Sequence, residues 1–310
     1  GNRTQTRTGG DASGNNLRTA NYSPNRLNQY TQRDVPGFVE VQGSAVTNAT
    51  VTVNRQASDR LGGFYRRELF VDNSQGPVAP GLTNVAVIPG GGAGGADLVS
   101  TETGSRKLGQ TPERLVYDTD GNTLSDGLWN YLWNGENRLV ELTSNTNLPA
   151  GERRKLVFTY DHQGRRNSKA VYNWNGSTLV YDLSSRWKFV YDGWNLVAEL
   201  DGNTNLVHGF TWGLDLSDSG QGAGGVGGLL LVGTTNGVHV AGHDGNGNVS
   251  ALVSASDATV TARYEYSPFG RVVRATGQMA LVNPIRFSTK YPNDETGLNY
   301  YGLRFYNPDT

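Results

Sequence analysis

The sequence predicts an all-β protein, and three observations predict it. Aromatic and β-branched residues alternate with polar ones in short runs, no helical periodicity holds for ten residues, and a pattern of turn residues recurs along the chain. Side chains of a strand point alternately to opposite faces, so alternation marks a segment with one buried face. Residues 155–160 (KLVFTY) and 186–191 (RWKFVY) are of this kind, each stopped by Asp, Asn or Gly. Further strands are expected at 195–200, 208–212, 229–232, 237–241, 249–253, 260–266 and 271–275. With 42 Gly among 310 residues, and Ala, Lys and Glu scarce, intrinsic propensity also opposes helix.

The recurring pattern reads aromatic, Asp/Asn/Ser, two free positions, Gly/Asn, then Asn/Arg/Leu. Six segments match: YDTDGN from Tyr117, WNGENR from Trp133, YDHQGR from Tyr160, YDGWNL from Tyr191, HDGNGN from His243 and YSPFGR from Tyr266. Successive starts lie 16, 27, 31, 52 and 23 residues apart, and Trp212-Gly213-Leu214-Asp215 divides the longest gap. Each unit has the chemistry of a hairpin. The aromatic ends one strand, the Asp or Asn side chain accepts backbone N–H bonds as the chain turns, and Gly or Asn takes the positive φ. A lone hairpin cannot bury its faces, so the units are expected to stack into a continuous sheet that coils as a spiral or solenoid wall, with the aromatics stacked on one another.

Composition excludes several functions. There are 27 Lys+Arg against 28 Asp+Glu, a formal net charge of −1, which gives no basic stripe for nucleic acid. Zero Cys removes disulfide frameworks, thiol catalysis and cysteine metal sites. No apolar run reaches the roughly 20 residues of a membrane-spanning helix. Two overlapping GxGxxG matches, at Gly220/Gly222/Gly225 and Gly222/Gly224/Gly227, precede a strand-like run rather than a helix, so they predict a flexible loop and not a nucleotide site. His239 and His243 share a strand face but have no third ligand, so packing is expected of them. No cofactor or metal is implied. The 6 Trp and 15 Tyr leave carbohydrate as a minor candidate partner.

The Tyr-Asp pairs at Tyr117-Asp118, Tyr160-Asp161, Tyr181-Asp182 and Tyr191-Asp192 resemble the RHS or YD-repeat family. The C-terminal stretch is more specific: Phe269-Gly270-Arg271, Arg286-Phe287-Ser288 and the run from Asp294 to Thr310 (DETGLNYYGLRFYNPDT) resemble the RHS-associated core of polymorphic toxins and toxin complexes. The resemblance covers about 1–32 and 111–310. It implies four segments: YD-repeat shell at 1–32, a small inserted β-domain at 33–110 with the glycine run 90–95 as flexible exit linker, YD-repeat spiral at 111–265, and the start of the core at 266–310. Gly1-Asn2-Arg3 is similar to the second half of a repeat, and the family continues past a Thr310-like position into an Asp-Pro motif. A piece of a longer chain is therefore expected.

The resemblance implies a non-enzymatic segment of a secreted or cell-surface bacterial β-shell that encloses a C-terminal, toxin-like cargo, its partners being that cargo and the rest of its own chain. A filament-forming or adhesive protein assembled by pairing of sheet edges is the alternative. A third reading is an aspartic autoprotease. The family's core uses two Asp and a nearby Arg, of which Asp294 and Arg286 match here, while the second Asp belongs to the Asp-Pro motif beyond Thr310.

Overall fold

In a computed structural model, which describes residues 2–11 and 13–310, the chain is all-β. Its only helical pieces among the described residues are three-residue 3-10 turns at Ala93–Gly95, Ala150–Glu152 and Phe287–Thr289. The chain divides into two compact units, the first made of residues up to Leu132 with Leu142–Arg153 and Trp174–Leu179, the second of the remainder.

In the first unit Gln5–Thr8, Arg18–Pro24, Tyr30–Arg33 and Glu113–Arg114 form one antiparallel sheet. Between its last two strands the chain builds two more sheets. Phe38–Ser44, Phe64–Phe70 and Asp59–Leu61 make one; Leu98–Ser105, Gly81–Ile88, Thr50–Val53 and Gln56–Ala57 make the other. Their inner faces meet through Val39, Val41, Tyr65 and Leu69 on one side and Val51 and Val53 on the other, while Glu40 and Gln42 between the valines stay exposed. The two ends of this segment converge on buried Asn73. Its side-chain amide donates to Val35 O (3.0 Å) and Gly109 O (2.7 Å), and its backbone carbonyl accepts from Thr111 N (3.1 Å). The glycine run expected as an exit linker is instead the tip of a hairpin: Gly81–Ile88 pairs with Leu98–Ser105 from Ile88↔Leu98 to Gly81↔Ser105. Glycine there supplies a tight turn between two long paired strands, and the strand beyond it uses the residues a linker would need.

The main sheet of the second unit runs through ten strands, each paired with the next: Arg154–Tyr160, Arg166–Asn175, Val180–Asp192, Asn195–Asp201, Leu206–Trp212, Leu229–Thr234, Gly237–His243, Val249–Ser254, Val260–Tyr266 and Val272–Thr276. Every strand expected in this region is present. One face carries Phe189, Leu196, Phe210, Leu229, Val232, Val249 and Leu252, and is covered by a C-terminal layer containing Met279, Ile285, Tyr291 and Tyr300.

The repeat explains this sheet. In the Asp161 turn, Oδ1 accepts from Gln163 N and Arg165 N (both 2.9 Å), and Oδ2 accepts from Arg165 Nε (2.7 Å). Asp118 and Asp244 do the same, as do Asp11, Asn25 and Asp201, which the six-residue frame does not include. The frame aromatic then reaches back to the preceding repeat. Tyr160 Oη donates to Leu139 O (2.6 Å), Tyr191 Oη to Arg166 O (3.0 Å), Trp212 Nε1 to Leu196 O (2.7 Å) and Tyr266 Oη to Val249 O (2.7 Å). In the first unit Tyr117 Oη donates to Tyr30 O (2.8 Å). The rings are less stacked on each other than expected: the guanidinium of the preceding turn lies over them instead, Arg138 over Tyr160 and Arg165 over Tyr191, each at 5.4 Å. Trp133 ends its Trp129–Trp133 strand as the frame requires. His243 occupies the aromatic slot, but its buried Nε2 has no hydrogen-bond partner, and burial pulls its pKa down.

Candidate functional site

The chemistry-bearing residues of the second unit gather where the C-terminal layer meets the sheet. The chain there makes a three-stranded antiparallel sheet, Tyr291–Asn293, Leu298–Tyr300 and Phe305–Tyr306. Asp294 opens the turn between the first two, where Asn293 O accepts from Thr296 N (3.0 Å) and Gly297 N (2.8 Å). Arg286 lies in the preceding segment, 5 % exposed, with Nε donating to Asn283 O (3.0 Å).

The structure brings the two sequence-predicted site residues together. Arg286 Nη1 and Nη2 donate to Asp294 Oδ1 and Oδ2 at 2.8 and 3.2 Å, a bidentate pair in which the arginine is buried and the carboxylate is 63 % exposed. An arginine fixed on one side by backbone and on the other by a rim carboxylate orients that carboxylate toward solvent. One oriented carboxylate can accept or position a proton; cleavage of the aspartic type needs a second beside it.

Sequence reasoning missed a more deeply buried group. Arg166 is fully buried, and its guanidinium carbon lies 4.4–5.5 Å from the ring centroids of Tyr300, Phe189, Tyr291 and Phe158. Its Nη1 donates to Asn293 Oδ1 (2.8 Å), while Nε and Nη2 face no hydrogen-bond acceptor, so the π faces supply the compensation. Beside it, buried Glu199 accepts from Tyr291 Oη (2.6 Å) and lies 2.7 Å from His208 Nδ1. Burial, then the Glu199 charge, pushes the Tyr291 hydroxyl well above its ordinary pKa, so it remains a donor. Lys169 pairs with Glu295 at 3.0 Å. A signal for Arg166 existed. The residue opening the strand after a YD turn faces inward and is Leu139 or Val249 in other repeats, so a charge in that column marks a special contact.

The glycine-rich loop is ordered around Asp215 rather than loose. Its carboxylate accepts from Ser217 Oγ and N and from Ala223 and Gly225 N, at 2.6–3.1 Å, and these bonds, Ser217 Oγ foremost, hold its pKa down to about 2. The backbone cradle that could take a phosphate already holds this internal carboxylate. His239 donates or accepts at Thr261 Oγ1 (2.9 Å) and lies buried away from His243's turn. Among the described residues no group of three His, Asp or Glu side chains converges as a metal would need.

No family model matches the chain. It is 30 % identical over 199 residues to the tRNA3(Ser)-specific nuclease WapA of Bacillus spizizenii, and 30 % identical over 200 residues to the tRNA nuclease WapA of Bacillus subtilis strain 168. Each match covers 63 % of this chain and 7 % of the relative. Among solved structures it is similar to a TcdB2-TccC3-Cdc42 complex, with a TM-score of 0.44 and 14 % identity over 94 % of this chain and 14 % of that one. A Photorhabdus luminescens Tc holotoxin pore gives a TM-score of 0.46 and 13 % identity over 95 % and 14 %. The chain thus spans a small part of each of these proteins. The sequence likeness is to one segment of these much longer proteins.

Proposed function

We propose that the chain is a wall segment of an RHS-type β-shell, not an enzyme in itself, that coils as a spiral in its longer parent and encloses a C-terminal toxin-like cargo. The observation that carries this reading is the recurring bond from the frame aromatics Tyr160, Tyr191, Trp212 and Tyr266 to a carbonyl at the start of a strand of the preceding repeat. It ties hairpin to hairpin without leaving a free edge between them, which a containing wall requires. The mechanism is steric: a cargo behind a continuous wall meets neither protease nor target. The parent would act outside the bacterial cell or on its surface. Asp294, oriented by Arg286, would supply one carboxylate of a cut that frees the cargo, and a second would come from chain beyond Thr310.

In the full-length parent, the cargo should resist protease under native conditions and become digestible only when the wall unfolds. Asp294→Asn should leave the parent uncut while the wall stays protease-resistant. A cargo digested as fast as the free domain would overturn containment, and normal cleavage in the Asp294→Asn parent would overturn the role of Asp294 alone.

A second reading, assembly by edge pairing, is favoured by one observation. Leu98–Ser105 is an outermost strand exposed at all eight positions.

A further inference from the structure

We infer that Leu98–Ser105 is a self-association strand, through which two copies of this chain pair antiparallel about a two-fold axis at Thr101 and close into a dimer. The inference rests on the edge-pairing reading, to which it adds a partner and a register. It does not use containment of a cargo.

The strand has the features of a template. It forms the outer edge of its sheet, and all eight residues are exposed. It pairs with Gly81–Ile88 from Ile88↔Leu98 to Gly81↔Ser105 without a register shift, so no bulge twists its free side away. Natural sheets commonly blunt such an edge with Lys, with Pro or by keeping the strand very short. Here the sequence LVSTETGS has neither Lys nor Pro, whereas the opposite edge of the same sheet, Gln56–Ala57, is two residues long. Leu98 and Val99, 52 % and 55 % exposed, would gain cover from a further strand.

Symmetry and charge select the partner and the register. Two identical antiparallel strands in one continuous sheet are related by a two-fold axis normal to it, so one residue must face its own copy. A centre at Glu102 would set carboxylate against carboxylate, and it would enlist Ser105, whose hydroxyl already donates to Glu152 Oε1 (2.6 Å). A centre at Thr101 opposes Thr101 to Thr101 and Val99 to Thr103, both favourable cross-strand pairs. On the other face Ser100 then meets Glu102, a hydroxyl donor against a carboxylate acceptor, twice by symmetry. Ser100 and Glu102 line a small cavity with Tyr65 inside the sandwich, so alternation places Thr101 on the solvent face. Centres farther toward either end overlap fewer residues. Each copy uses this edge once, so the pairing closes at two and builds no fibre.

The test uses the 310-residue chain, whose lack of Cys lets a single introduced thiol report the register. Sedimentation should give a mass of twice 33.5 kDa, with half of the chain dimeric on the order of 10 µM. Thr101→Cys should cross-link on mild oxidation, because facing Cα atoms lie about 5 Å apart, within disulfide reach. Glu102→Cys, which would stand diagonally to its own copy, should cross-link about tenfold more slowly. Thr101→Lys and Thr101→Glu should each be monomeric through like charge at the axis, and their equimolar mixture should dimerise again, with the far-UV spectrum unchanged throughout. A dimer that survives Thr101→Lys, or that cross-links faster through Glu102→Cys than through Thr101→Cys, would overturn this strand and register and leave assembly through another edge standing. A chain still monomeric at about 1 mM would overturn both this inference and the edge-pairing reading.

Discussion

Residues 154–306 and residues 38–105 are both antiparallel β, yet they are held by different means. The shorter segment is a two-sheet sandwich whose centre is wholly apolar, with Val53 completely buried among Val39, Val41 and Leu69. Its register rests on alternation, because a one-residue slip would expose every valine. The longer region also buries Leu156, Leu229 and Val249, but its inner face contains Arg166, Glu199 and His208 as well. Alternation alone would not keep such residues in place. Register there is set outside the core, by side-chain carboxylates that fix the turns at Asp161, Asp201, Asp215 and Asp244 and by aromatic tips that bond across strands. Once turns define the register, the interior is free to carry specific polar contacts to the C-terminal layer.

The comparison breaks most sharply at Arg166. Arg166→Ala removes a guanidinium packed on four rings and leaves the Asn293 side-chain carbonyl without its donor. Cavity and lost hydrogen bond together should cost about 4 kcal/mol, against about 2 kcal/mol for Val53→Ala in the sandwich. Arg166→Met refills the volume without a buried charge and should recover at least half of the loss. Urea denaturation followed by tryptophan fluorescence reads the sheet, and hydrogen exchange at 38–105 reads the sandwich. If Arg166→Ala costs no more than Val53→Ala, the aromatic cage adds nothing beyond ordinary packing.

Acid sharpens the same contrast with a smaller effect. In the long region the carboxyls of Asp161, Asp201, Asp215 and Asp244 are all held below the ordinary aspartate value of 3.8 by the bonds of their turns, Asp215 at about 2. A lowered folded pKa contributes stability that is complete above the unfolded value and is lost as pH falls through the folded one. Between pH 5 and 3 the urea midpoint of residues 154–306 should therefore fall further than that of 38–105, where Glu68 and Asp72 are lowered. Equal acid sensitivity of the two regions would mean that the turn carboxylates are not what fixes the sheet.

The strands and turns of this fold were legible because they are local. Alternation such as that of 155–160 and the spacing from Tyr160 to Gly164 act over a few residues, and each reappears as a strand end and a turn. The glycine run at 90–95 was misread because glycine permits both a linker and a hairpin tip. The choice between them depends on whether residues 98–105 pair with 81–88, a tertiary fact. Asp294 and Arg286 are close in sequence and meet as a bidentate ion pair. The Arg166 cage draws on residues 158, 189, 291 and 300, and no window of sequence contains it.

The finest test of what stitches the repeats is a single oxygen. Tyr160→Phe keeps the ring under the Arg138 guanidinium and removes only the hydroxyl that donates to Leu139 O. Leu139 is 1 % exposed, so no water readily replaces the lost donor. The expected cost is about 1 kcal/mol, that of one hydrogen bond to a buried carbonyl. Tyr266→Phe, which frees Val249 O at a fully buried residue, should cost the same. Because the two lie far apart in the sheet, their effects should add in the double variant. A neutral result at both positions would show that the aromatic slot acts through packing alone. His243 would then be an equivalent occupant of that slot, although its ring makes no such bond through Nε2.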